Sequence, residues 1–216
     1  MKLLKRVVCL MLLSALVCSA LAFAEQTPQQ LATEELNKLS VMVGNEAGDL
    51  MLQKPVTRAE MATILCRLSG LEQAAKDAGI TSSPFSDVPT DHWASGYIQV
   101  CKQNGVINGY PDGTFLPEQE ISYAEVLKML VAVLGYLPKA ESKGEYPHGV
   151  LMMANELGIT NDLVLLAEKP AIRSDVALFS YRALDIPLLM QVSFGEDAQY
   201  QVMEGVTLRS THFGGK

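Results

Sequence analysis

The residues with the most chemical content in this chain are Thr57-Arg58-Ala59-Glu60. A threonine three positions before a glutamate forms a capping box. Thr57 accepts from the amide of Glu60, and the Glu60 side chain returns to the amide of Thr57. That pairing starts a helix and places Arg58 in its first turn. Amides left unbonded there, with the positive end of the helix dipole, favour an anion. A guanidinium beside them adds a planar fork suited to a carboxylate. The plainer reading of Arg58 is a solvated side chain or a partner of nearby carboxylates. On the anion-site reading, Arg58→Ala weakens ligand binding and leaves thermal unfolding nearly unchanged.

The motif recurs in altered form. Ser122-Tyr123-Ala124-Glu125 keeps the cap but puts an aromatic in place of the arginine. Ile172-Arg173-Ser174-Asp175 restores the arginine and loses the cap at its first position, with Ser174 an alternative cap. These recurrences belong to a longer repeat. Displaced by 65 residues, Leu39–Gly44 lies on Asn104–Gly109, Gly48 on Gly113, Leu50 on Phe115 and Val56 to Glu60 on Ile121 to Glu125. A weaker third copy aligns Gly158-Ile159-Thr160 with Gly105-Val106-Ile107, and its loop is three residues shorter. Self-similarity of this kind belongs to supersecondary units that stack and bury a shared core.

Each unit reads as helix, loop, helix. The periodicity predicts helices over 33–41, 58–71, 91–104 (capped by Thr90 or Asp91), 123–134, 146–157 and 173–184. The Asn108–Gly113 stretch between two of them is dense in turn formers. The expected fold is therefore mainly α, built of three helix-loop-helix repeats. Gln73 to Ser83 reads as a linker. Leu188 to Lys216 turns strand-like, with Val192, Phe194, Tyr200 and Val202 alternating around Gly195. That tail is either a closing hairpin or the start of a further region.

The bulk numbers set the compartment and exclude several classes. Lys2, Lys5 and Arg6 precede an apolar stretch from Val7 to Leu21, and Ala22-Phe23-Ala24 supplies small residues for cleavage before Glu25. Residues 1–24 therefore read as an export signal. The stretch is short for a membrane anchor, and Val17 before Cys18 disfavours a lipoprotein. The remainder holds 14 basic against 24 acidic residues, a net charge of −10, with no basic stripe for nucleic acid. Cys66 and Cys101 lie among apolar neighbours at helical spacing. They are two buried thiols or, after export, one disulfide.

Other chemistry finds little support. His92, His148 and His212 show no Ser/His/Asp or Cys/His arrangement, so no catalytic residues are assigned. From Asn108 a calcium loop would need acidic ligands where Tyr110 and Gln119 stand, so no metal or other cofactor is expected.

Phe85-Ser-Asp-Val-Pro-Thr-Asp-His-Trp-Ala94, Gly105-Val-Ile-Asn-Gly-Tyr-Pro-Asp-Gly-Thr-Phe115 and Val56-Thr-Arg-Ala-Glu60 resemble the S-layer homology domain. The resemblance divides the chain into a signal at 1–24, repeats at 25–72, 84–137 and 145–187, and a tail at 188–216. It implies a helical prism with approximate threefold symmetry. It also implies a non-enzymatic anchor at the cell wall or S-layer, whose grooves between repeats bind a pyruvylated secondary cell-wall polysaccharide. Other S-layer or envelope proteins are further implied partners, with no nucleic acid and no membrane once the signal is cleaved. The family's arginine, which meets the acidic pyruvate ketal, corresponds to Arg58 and Arg173. Tyr123 takes that place in the second repeat, where it leaves the groove silent or stacks on a sugar. Asp87 and Trp93 match a segment that serves sugar recognition, although Asp87 also suits a turn cap and Trp93 a core position. The alternative is an exported protein-interaction scaffold whose repeats have lost glycan binding.

Overall fold

The computed structural model describes residues 26–161, 163–193 and 198–214. The expected export signal lies outside them, as do Phe194 and Gly195 of the tail. The described chain is mainly helical. Its elements are α1 (Pro28–Lys38), α2 (Arg58–Leu68), α3 (Glu72–Asp77), α4 (Ser95–Gln103), α5 (Tyr123–Val133), α6 (Leu137–Glu141), α7 (His148–Glu156), α8 (Arg173–Ala183), a hairpin of β1 (Leu188–Gln191) and β2 (Tyr200–Met203), and α9 (Leu208–His212).

Three helices of equal length, α2, α5 and α8, begin at the aligned positions 58, 123 and 173. The residues just before them form a closed ring of backbone hydrogen bonds. The Val56 amide donates to Ala171 O (2.9 Å), the Ala171 amide to Ile121 O (2.8 Å), and the Ile121 amide to Val56 O (2.9 Å). All three residues are fully buried. This ring is the pseudo-threefold axis of the bundle.

Around the axis, helices pack on the neighbouring repeat rather than their own. α4 packs on α2, α7 on α5, and α1 closes the circle on α8. No repeat buries its apolar faces alone, and Leu36, Leu65, Ile98, Leu127, Leu130 and Phe179 meet in one continuous core. Each outer helix ends on a left-handed residue: Ser40 (φ 59°), Gly105 (68°) and Gly158 (76°). The next amide then reaches back to the helix, Val41 to Leu36 O, Val106 to Cys101 O and Ile159 to Ala154 O.

Several element expectations require correction. α1 starts at Pro28, capped by a Thr27/Gln30 capping box, five residues before the predicted start. Thr90 and Asp91 cap no helix: turns run from Pro89 to Ala94, and α4 begins at Ser95 without a side-chain cap. The supposed linker overlaps α3, whose Ala75 carbonyl sits so close to Gly96 that a Cβ there would clash at 2.2 Å. Ser174 caps nothing, because α8 begins at Arg173 with Ile172 at its N-cap and no side-chain hydrogen bond. The tail forms an antiparallel hairpin, with Leu188 opposite Met203. It is tied to α5 by the Leu189 amide on Leu134 O (3.0 Å) and sealed by Leu208 and Phe213 in the core.

Candidate functional site

At the head of α2, Thr57 Oγ1 accepts from the Glu60 amide and Glu60 Oε2 from the Thr57 amide, both at 3.2 Å. Ser122 and Glu125 repeat this box at α5. The expectation of free amides at these helix starts does not hold. The Arg58 and Ala59 amides donate to Gln119 O and Pro117 O, both at 2.9 Å. Tyr123 and Ala124 donate to Lys169 O and Ala167 O, and Arg173 and Ser174 to Lys54 O and Leu52 O. The loop of the adjoining repeat consumes the donors that an anion would have used.

The second motif position is likewise claimed by the neighbouring repeat. Arg58, 3% exposed, sends Nε to Phe115 O (2.7 Å) and Nη1 to Glu125 Oε1 (2.7 Å). Its guanidinium lies over the rings of Tyr110 (4.6 Å) and Phe115 (4.8 Å). Tyr123 donates its hydroxyl to Asp175 Oδ2 (2.6 Å) and meets Phe179 edge-on. Arg173 sends Nε to Leu50 O (2.9 Å), Nη2 to Val43 O (3.1 Å) and Nη1 to Glu60 Oε2 (3.5 Å). The contacts 58 to 125, 123 to 175 and 173 to 60 run around the axis in one direction. The acid of each motif holds the second residue of the preceding one, and at Glu60 and Glu125 it also closes the capping box. Arg58 is therefore structural as well as a ligand candidate, which overturns the expectation that Arg58→Ala spares stability.

Burial alone would raise the pKa of Glu125. The Tyr110 hydroxyl, Ser122 and the Arg58 charge outweigh it and hold the carboxyl below its ordinary range. Tyr110 is pushed up to about 12 by burial and by its hydrogen bond to Glu125 (2.6 Å).

Two clefts open beside the arginines. The first, of about 330 Å³, is lined by Arg58, Asn108, Tyr110, Glu125, Lys128 and Tyr146, among others. Arg58 Nη2 has no hydrogen-bond partner among the described residues. The Lys128 ammonium lies 5.0 Å over the Tyr146 ring and makes no ion pair with a described residue. With Arg58 offset by Glu125, this cleft keeps one net positive charge. The second cleft, of about 200 Å³, joins Arg173, Glu60, Arg67 and Trp93. Every guanidinium nitrogen of Arg173 is already engaged there.

The structure thus brings Arg173 and Trp93 together and keeps Arg58 in a cleft of its own. Trp93 is 56% exposed, beside the His92 ring, and is not a core residue. Tyr123 and Asp87 line neither cleft. Asp87 clamps a turn instead: its carboxylate accepts from the Phe115 (2.8 Å) and Leu116 (2.7 Å) amides. It thereby holds Leu116 at φ 57° and aims the Phe115 carbonyl at Arg58. Sequence reasoning missed Lys128, Tyr110 and Tyr146. Lys128 left a trace, as the charge that interrupts the apolar run from Val126 to Leu137.

Among the described residues no three His, Cys, Asp or Glu side chains group as a metal site, and no helix is long and apolar enough to cross a membrane. Comparison with known proteins matches residues 84–127 to the S-layer homology domain. Over 175 residues, 81% of the chain, it is 33% identical to the middle cell wall protein of Brevibacillus brevis. It is 31% identical to the surface layer protein of Brevibacillus choshinensis across an alignment covering 96% of the chain. A cell surface protein of Thermoanaerobacter kivui is 34% identical over 203 residues, 89% of the chain. The chain spans 16%, 19% and 26% of the length of these relatives.

Proposed function

Because the chain belongs to the S-layer homology family, we propose that it attaches to the cell envelope by holding an acidic cell-wall polysaccharide, with the Arg58 cleft as its principal site. The polymer is of the pyruvylated secondary type. Its ketal carboxylate meets the Lys128 ammonium and Arg58 Nη2, and its pyranose rings lie on Tyr110 and Tyr146. The single observation carrying this reading is the residual positive charge of a cleft walled by aromatics, in a chain whose net charge is −7. A carboxylate there replaces water on two donors that have no hydrogen-bond acceptor among the described residues. The relatives' names support a place at the cell wall or cell surface. The role is non-catalytic.

In this reading the three positions are unequal. The Arg173 cleft offers Trp93 as a stacking face, but its guanidinium is spent on Leu50, Val43 and Glu60. Tyr123 is locked to Asp175 and serves the fold. That inequality also favours a second reading, an exported scaffold in which glycan binding has decayed. Sedimentation with purified cell-wall sacculi separates the two. Anchoring requires retention that disappears when the secondary polymer is extracted, whereas full retention afterwards supports the scaffold.

A further inference from the structure

Cys66 and Cys101 have no part in the clefts. They lie on α2 and α4, the packed pair that joins the first repeat to the second. Both are free and fully buried in the core. Cys101 Sγ donates to Ala62 O at 3.4 Å, one helical turn before Cys66 on the same helix. Each thiol perturbs the other: Cys101 lowers the pKa of Cys66, while Cys66 and burial raise that of Cys101. Outside residues 1–24 the sequence has no other cysteine, so each has a single possible intramolecular partner.

We propose that Cys66 and Cys101 are an oxidation site, at which a disulfide staples the first repeat to the second when the chain folds in the presence of a small-molecule or protein disulfide. One thiolate attacks the donor disulfide, releasing one donor sulfur as thiolate and forming a mixed disulfide. The second cysteine's thiolate then attacks the chain's own sulfur and displaces the other donor thiolate. Two cysteine thiols are oxidised, one donor disulfide is reduced, and the two protons end on the released donor thiols. Exchange precedes burial, because the finished core admits no donor. The cross-link closes a loop spanning α3, joining helices that already pack side by side.

The test folds the chain without residues 1–24, whose Cys9 and Cys18 would offer other partners, from denaturant with oxidised glutathione, or with excess reductant, followed by trypsin digestion without reduction. Mass spectrometry then follows the peptides 59–67, carrying Cys66, and 77–102, carrying Cys101. Expected is a linked pair lighter by two hydrogens in most of the oxidised sample, native-like circular dichroism, and an unfolding midpoint roughly 10 °C above the reduced chain. Cys101→Ala must abolish the linked pair while folding normally under reductant. Recovery of both peptides as free thiols or glutathione adducts would overturn the proposal. So would a linked form with a lower midpoint than the reduced chain.

Discussion

Replacing Arg58 with methionine keeps a flexible stem between Tyr110 and Phe115 and deletes everything the guanidinium does. The Nε hydrogen bond to Phe115 O contributes about 1 kcal/mol, and the 2.7 Å pair with Glu125 about 1.5–3 kcal/mol. Stacking over two rings adds about 1 kcal/mol, part of which methionine sulfur recovers. Removing one member of a fully buried pair costs about 3–5 kcal/mol. Here the Glu125 side chain is 18% exposed and keeps Tyr110 and the Ser122 amide, so the lower end applies. The expected loss is about 3 kcal/mol, read as a shift in the urea midpoint at unchanged slope. Glu125→Gln and the double variant complete a thermodynamic cycle with an expected coupling of about 1–2 kcal/mol. A loss under about 0.5 kcal/mol in Arg58→Met would refute the claim that the ring of inter-repeat contacts holds the bundle together.

Four other outcomes follow from the same geometry. Thr57→Ala loses the α2 cap and about 1 kcal/mol of stability, measured by urea titration. Ser40→Gly relieves a left-handed backbone at φ 59° and gains about 0.5–1 kcal/mol in the same assay. The folded-state pKa of Glu125 lies below its ordinary value, so its contribution is full above that value and disappears as pH falls through the folded one. Stability of the wild type should therefore drop below about pH 4.5, and Glu125→Gln should flatten that slope. Lys128→Ala removes no hydrogen bond and only the contact with the Tyr146 ring, so it should cost at most about 1 kcal/mol of stability and lower polymer affinity roughly tenfold, measured by calorimetry.

What the sequence disclosed was whatever is local or repeated. The Thr57/Glu60 and Ser122/Glu125 boxes lie within one helical turn, and both sit where local rules put them. Thr27-Pro28-Gln29-Gln30 obeys the same rule, but its place beside the export signal hid the start of α1. The repeat offset of 65 reappears in the backbone itself, with Gly48 and Gly113 at φ 79° and 84° and with Met51 and Leu116 also left-handed. The fate of Arg58 was not legible: Glu125 is 67 positions away, and the carbonyls that take the amides of α2 come from residues 117 and 119. Asp87 was legible as a turn cap, but not which amides it clamps, because they are 28 and 29 positions downstream. For Arg58, Tyr123 and Arg173 the decisive acid belongs to the next repeat around the pseudo-threefold axis, which a local reading cannot reach.

Calorimetric titration of the chain with pyruvylated wall polymer, and with the same polymer after mild-acid removal of pyruvate, tests the anchoring account most directly. The account predicts at least a tenfold loss of affinity on depyruvylation, because it assigns the ketal carboxylate to Lys128 and Arg58 Nη2 in the cleft they line. Equal affinity for the two polymers would contradict it.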